Sequence, residues 1–529
     1  MTGRTRFFPP LTKSAYDHSL SRYVLKDGAG VPVESYQEMF RRVCDYALKR
    51  EGSGAGGEVV ADFRNLITGL VFLPGTPVLV GAGVEGAQLF AAVAFPFRPF
   101  ALTRSLLVTS QRGGAGTSYC IRSRHGEQWD RIRYRISQLD KATRSVKQGG
   151  CRQGCSLAVM RADDPNVDQF VMAKLDRNLA PNTGTSVALN DSQMEELAGG
   201  GDENLFSRMT EAIHEVGEPG VIFSDEVNRE NPISHLGHIG ASSACAEVPL
   251  MDYEACQLGA VDVSKLIYDG DFDFDLLKRA TKSAVRFLDD MIDLTSYPDE
   301  RVRCATMSSR KMGVGVMGLA DLFASLELQY GEDDSVQLCR EIASTMRLAA
   351  MEESKTLAEE RGSCPALEEI GVMRRNATLL AIPPSGSISL IAGCSSGIEP
   401  YFSFPVTMHR VEGTGRLEVS RVLVERLKRL GFRVSAEGLL DVPTSSRLGL
   451  ELRSAHHIFR TATELAPERH LAIAKAFQTY FDNSVSKTVA LQEESSPEEV
   501  SKIIVQAWRM GLKGISIFRP ASGERLIYS

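Results

Sequence analysis

From about residue 60 onward, short apolar runs bounded by Gly, Pro and Ser alternate with helical stretches for about 450 residues, and this alternation limits the fold more than any other feature. GVIFSDEV (220–227), ATLLAIPPSGSISLIAG (377–393) and GISIFRP (514–520) read as strands that run into turns. Residues 273–293, 338–361, 467–482 and 497–511 read as helices between them. Strands and helices alternating on that scale predict an α/β architecture. Ahead of it, residues 14–52 read as helical, with Tyr36, Met39, Phe40, Val43, Tyr46 and Ala47 on one face, and GSGAGGE (52–58) is a break. The expected division is a helical N-terminal segment over 1–58 and one α/β domain over 59–529.

Composition narrows the function classes. Hydrophobic residues make up 43% and charged residues 24% of the 529, which excludes a disordered chain, a coiled coil and a collagen-like polymer. A formal charge of −7 argues against an extended nucleic-acid face, whereas a small anionic substrate needs only a few local donors. The N-terminus shows no apolar core of the secretory kind. Asn65 to Val84 is uncharged over a membrane-span length but contains Pro74, Pro77 and four glycines, so a buried strand-and-turn region is expected and not a lipid-exposed helix. The ten cysteines are scattered, without CxxC or zinc-finger spacing, and read as thiols of a reducing cytoplasm with no structural metal.

Three motifs could carry chemistry. Gly313-Val314-Gly315-Val316-Met317-Gly318 matches the dinucleotide fingerprint by letter, but CATMSSRK precedes it where an apolar strand is required. Glycines allowing close packing of the following helix are the favoured reading. In SSACAEVPLMDYEACQL (242–258), Cys245 and Glu247 flank one alanine, and two residues that far apart in an extended loop point to the same side. That suits a thiol and a base acting on one substrate; the competing reading is a small buried side chain. Ile382-Pro383-Pro384-Ser385-Gly386-Ser387-Ile388-Ser389 follows an apolar run and reads either as an anion cradle at a helix start or as a plain turn.

Taken together, the motifs resemble the catalytic subunits of ribonucleotide reductases, and among them the adenosylcobalamin-dependent class II. The resemblance runs from about residue 20 to about 520. It rests on RYVLKDGAGVPVESYQEMFRRV (22–43), LPGTPVLVGAG (73–83), GGAGTSYCIR (113–122), VKQGGCRQG (146–154), GEPGVIFSDEVNRENP (217–232), RKMGVGVMGLADLF (310–323), NATLLAIPPSGSISLIAGCSSGIEP (376–400) and FQTYFDNSVSKTVAL (477–491). It implies a ten-stranded α/β barrel with a finger loop through its centre, acting on a ribonucleotide to make its 2′-deoxy form. By motif match Cys245 is the thiyl-radical residue and Glu247 the base at the 3′-hydroxyl. Ser385, Gly386, Ser387 and Ile388 would hold the substrate, with Thr76 at the opposite wall.

The chain departs from the family pattern at informative places. N-x-C-x-E is S-A-C-A-E here, which puts Ser243 in place of the asparagine. Cys256 matches one of the two reducing cysteines, but its partner position falls on Ala92, and there is no cysteine from 45 to 119. Cys120, Cys151 and Cys155 are the candidate replacements, with Cys120 preferred; the residues after Arg519-Pro520 hold no cysteine pair. The stretches between Phe97 and Gly113 and between Gly126 and Val146 are shorter than the family's dimer and effector-site helices. Ile517-Phe518-Arg519 replaces the tandem tyrosine of subunit-dependent relatives, and no glycyl-radical motif follows, which leaves adenosylcobalamin as the implied cofactor. An external thiol reductant, no nucleic-acid or membrane partner, a monomer or homodimer, and a cytoplasmic location complete the expectation. Non-reductive radical chemistry on a nucleotide and a catalytically silent nucleotide-binding paralogue stand as alternatives.

Overall fold

The computed structural model describes residues 11–51, 57–148, 152–176, 179–199, 203–402 and 457–520, with scattered residues between 406 and 440. The N-terminal helices are α1 (Lys13–Arg22), α2 (Tyr36–Glu51) and α3 (Gly57–Thr68). Thr12 caps α1 by accepting from the Ala15 amide. The helical stretch expected over 14–52 is therefore two helices, because Gly28, Gly30 (φ +81°) and Pro32 turn the chain between them. Helix α2 buries Tyr36, Met39, Phe40, Val43, Cys44 and Ala47, whereas Tyr46 is half-buried and donates to the Leu294 carbonyl at 2.9 Å. Of the expected break at 52–58, residues 52–56 lie outside the described residues, and Gly57 and Glu58 already belong to α3.

Ten strands share one sheet: β1 (Phe72–Pro74), β2 (Ala92–Pro96), β3 (Gly116–Ile121), β4 (Ser156–Arg161), β5 (Thr183–Leu189), β6 (Gly220–Phe223), β7 (Ala255–Asp262), β8 (Met312–Met317), β9 (Thr488–Ala490) and β10 (Gly514–Phe518). Strands β2 to β6 run parallel in sequence order. The other half contains the parallel pairs β7–β8 and β9–β10, and residues 380–382 join them through parallel bridges Val314–Leu380 and Ile382–Val485. The halves meet antiparallel, β7 against β2 and β10 against β6, which closes a barrel. Closure leaves no long unpaired edge. Strand β1 takes the remaining edge of β7 over Gly259–Val261.

The outer layer includes α4 (Phe274–Leu294), α5 (Asp333–Arg361), α7 (Pro467–Gln478) and α8 (Pro497–Arg509), and the short α6 (Gly386–Ala392) packs against α1 and β1. Asp273 caps α4 through the Leu276 amide, and a Ser496–Glu499 capping box starts α8. Asn65–Val84 becomes the end of α3, the buried strand β1 and a short helix Thr76–Gly81. No helix among the described residues is long and apolar enough to cross a membrane.

The fingerprint-like glycines serve a different neighbour from the one expected. Gly313 and Gly315 lie inside β8, where a Cβ would sit 2.6 Å from Ala381 Cβ and 2.5 Å from Pro383 Cδ respectively. They let the 380–382 segment approach the barrel wall. Only Gly318 (φ +79°) belongs to the start of the next helix.

Candidate active site

Inside the barrel, Ala241–Ser242 pairs with Pro249–Leu250, and the chain between them forms a finger loop. The Ser243 amide donates to the Val248 carbonyl at 2.8 Å, and the Ser243 hydroxyl accepts from the Val248 amide at 2.9 Å. Ala246 adopts φ +61° at the tip. Cys245 and Glu247 line the same cleft, but this turn brings them together and not an extended strand. The Ser484 amide donates to the Glu247 carbonyl at 3.0 Å and ties the tip to the barrel.

Glu247 is 4% exposed. Burial raises its carboxyl above the usual glutamate range, while the Ser243 hydroxyl and the Cys245 amide donate to it and oppose the rise. Its Oε2 is buried without a hydrogen-bond partner. A carboxylate poised in this way can take a proton from a hydroxyl placed in the cleft.

The cleft, open at its mouth, is also lined by Thr76, Ala92, Gly116, Cys155 and the whole run Pro383–Ile388. Ser385 holds φ +52°, and its hydroxyl oxygen accepts from the Gly397 amide at 3.1 Å, which pins the turn that opens α6. Behind it, Asp321 accepts from the Ser395 amide and the Tyr401 hydroxyl, both at 2.5 Å, and burial lifts its carboxyl to about 6. First-turn amides of a helix have no partner within the helix and favour an anion. Thr76 lies across the cleft, 3.4 Å from the Tyr23 hydroxyl.

Two expected site residues do not line the cleft. Ser243 is fully buried behind Glu247 and acts on that carboxylate. Cys256, 1% exposed, lies in β7 with Ala92 directly opposite in the antiparallel register. Burial, and then the Glu247 charge, push its thiol well above the usual range, so it stays protonated. Lys311 and Glu254 pair behind it at 2.7 Å.

Cys120 does not replace the thiol missing at 92. It lies on β3, two strands from β7 and four residues beyond the Cys256 row. That is roughly 16 Å from Cys256 at ordinary strand spacings, against the roughly 4.4–6.8 Å between α-carbons that a disulfide needs. The Cys120 sulfur instead lies beside Gly240, where a Cβ would meet it at 3.5 Å. Cys151 lies outside the described residues. Cys155 does line the cleft.

The sequence reading missed the small residues that make room, Gly75, Gly116, Ala244 and Gly259, whose signal was only the glycine-rich texture. It also missed a second cleft beyond the finger loop, lined by Arg122, His238, Ser242, Ala246, Ser484 and Lys513. Burial and the charges of Arg161 and Arg122 lower the His238 pKa.

The fold and the cleft define a class: α/β barrel enzymes of two antiparallel-joined halves that carry a thiol and a carboxylate on an internal loop. The family model "Ribonucleotide reductase, barrel domain" matches residues 201–373 and 366–518, and "Ribonucleotide reductase, all-alpha domain" matches 11–87. The vitamin B12-dependent ribonucleoside-diphosphate reductase of Mycobacterium tuberculosis (strain CDC 1551 / Oshkosh) is 33% identical over 555 residues, spanning 96% of this chain and 79% of the relative. That of Thermoplasma acidophilum is 31% identical over 523 residues, spanning 91% of this chain and 68% of the relative. Among solved structures, the class Id ribonucleotide reductase alpha subunit of Actinobacillus ureae superposes with a TM-score of 0.80 at 18% identity, over 96% of this chain and 97% of that one, which supports the fold alone. The chain belongs to the ribonucleotide reductase catalytic-subunit family, class II.

Proposed function

We propose that this protein is a cobalamin-dependent ribonucleotide reductase that works by a thiyl radical on Cys245. The observation that carries the reading is one cleft lined together by Thr76, Cys245, Glu247 and Ser385–Ile388, residues brought from three distant parts of the chain. Relatives that share 31–33% identity with it bear the name vitamin B12-dependent ribonucleoside-diphosphate reductase. A reducing cytoplasm suits an enzyme whose chemistry uses thiols.

The residues present fit the adenosyl end of such a cofactor at the second cleft. Ser224, Ser242, Ser484 and His238 offer polar atoms there, and Gly240 leaves space where a Cβ would come 3.0 Å from Arg122 Nη2. Ala246 stands in its wall, so the finger loop separates that cleft from the substrate. Bound adenosylcobalamin supplies a radical acceptor for one hydrogen atom. The Cys245 thiol gives up that atom and then, as a thiyl, takes the 3′-hydrogen of the ribose. Glu247 accepts the 3′-hydroxyl proton as the 2′-hydroxyl leaves as water, and the carbon framework returns the hydrogen through Cys245. The Pro383–Ile388 turn and the start of α6 receive the phosphate end, with no Lys or Arg lining the cleft among the described residues. The finger loop's place inside the barrel limits contact between the radical and solvent.

The experiment is Cys245→Ser with adenosylcobalamin and a panel of ribonucleotides, followed by mass analysis of the products. We expect loss of turnover with folding and nucleotide affinity retained; turnover at the wild-type rate would refute the radical assignment. Ala92 opposite Cys256 favours a second reading, a redox-neutral radical rearrangement or elimination on a nucleotide. That reading requires a product other than the deoxyribonucleotide.

A further inference from the structure

We infer that Cys155 is the reducing thiol of this cleft, taking over the role that the Ala92 position cannot perform. The inference rests on the reductase reading above. Four positions form one row across the barrel wall: Cys256 opposite Ala92, Ala92 opposite Gly116, and Cys155 one residue before the Thr117–Ser156 pair. The Thr117 amide donates to the Cys155 carbonyl at 3.2 Å, which fixes Cys155 beside Gly116. Gly116 has no side chain, and the sulfur uses the space: a Cβ there would lie 3.5 Å from Cys155 Sγ and 2.9 Å from Ala244 Cβ. The thiol therefore lies beside Gly116, on the barrel face that Ala92 and the residue preceding Cys245 also line. It shares the cleft with both, and with the unpartnered Glu247 Oε2. A β-substituent on Gly116 would clash with Ala244 Cβ and only touch the sulfur.

Three strand spacings, roughly 14 Å, separate Cys155 from Cys256, so the two cannot close a disulfide directly. The second thiol comes from a soluble dithiol that enters through the cleft mouth. Cys155–SH and one thiol group of the dithiol each give up a hydrogen atom as a mixed disulfide forms between them. The ribonucleotide loses its 2′-oxygen as water and gains hydrogen at C2′. The dithiol's other thiol then attacks the mixed disulfide, which restores Cys155 and releases a cyclic disulfide. In sum, one dithiol is oxidised for each deoxyribonucleotide and water formed.

The test uses a single turnover of the full-length protein with adenosylcobalamin, a ribonucleotide and 2-mercaptoethanol, a monothiol that cannot cyclise away. Peptide mass mapping should find one mercaptoethanol adduct on Cys155 per deoxyribonucleotide. Cys155→Ser should lower deoxyribonucleotide formation by about a hundredfold or more. Ala92→Cys placed on that variant should recover product, now with a disulfide between residues 92 and 256. Consumption of the ribonucleotide by the wild type and by Cys245→Ser, measured alongside, reports the Cys245 step separately. Product at the wild-type rate from Cys155→Ser, or adduct on Cys256 alone, overturns the inference and leaves the reductase reading standing. Consumption by the wild type without deoxyribonucleotide overturns the inference together with the reductive reading. Consumption at the wild-type rate by Cys245→Ser overturns the thiyl reading itself.

Discussion

At Glu247, the burial that makes the carboxylate a competent base also sets when it can act. Its folded pKa is raised, so it holds its proton at pH values where an exposed glutamate is already charged. A base must be deprotonated, so activity should disappear as pH falls through this raised value. The acid limb of the kcat/KM profile should therefore lie above the ordinary glutamate range. Glu247→Gln should abolish that limb and lower kcat by about 10²–10⁴-fold. A profile whose acid limb is unchanged in the variant would assign the base elsewhere. Cys245 and Glu247 were legible in the sequence through the family motif, since their two-residue spacing alone also suits a small buried side chain. Cys155 was visible only as one of three candidates, since its position relative to Gly116 depends on strand register. Cys120 misled because sequence order cannot say which strand lies between two others, and β2 separates β3 from β7.

Among the elements, the strongly periodic helices were the easiest to read: 273–293 is α4 (Phe274–Leu294), and 497–511 is α8 (Pro497–Arg509). Their signal is an apolar stripe that each segment carries by itself. Strand β8 shows the opposite case. Its Gly313 and Gly315 look like a nucleotide fingerprint, but they are spacers against residues 381–383. Gly315→Ala should therefore destabilise the fold without touching substrate. The new methyl meets Pro383 Cδ and the Ala381 carbonyl, and backbone cannot move as cheaply as a side-chain tip. We expect a loss of about 1–3 kcal/mol, read from the urea midpoint. A variant as stable as the wild type would show that the 380–382 segment is not packed tightly against β8.

Over the whole molecule, a buried ionic network ties the N-terminal helices to the barrel. Arg361 reaches Glu51 at 2.5 Å and Asp290 at 2.7 Å, and Arg50 reaches Asp293 at 2.7 Å. Arg310, 1% exposed, pairs with Asp289 at 2.8 Å and Asp293 at 2.6 Å. Asn376 donates to Asp289 at 2.9 Å, so strands, helices and the run before the Ser385 turn share one set of charges. Removing one buried partner leaves the others uncompensated. Arg310→Met should cost about 3–5 kcal/mol in chemical denaturation. An unchanged midpoint would mean that Arg361 and Arg375 neutralise Asp289 on their own.

The sequence by itself determined the α/β alternation and the helical start, which are written in periodicity, whereas the thiol–carboxylate pair and the Pro-Ser-Gly-Ser turn were legible through their match to the family's motifs. Only the tertiary structure decided that Ser243 serves Glu247 and does not line the cleft, that Ala92 faces Cys256, and that Cys155 lies beside Gly116 and lines the same cleft as Cys245. The reason is physical. In a closed barrel the neighbour of a residue is set by strand order and register, and those follow from how the whole sheet closes on itself.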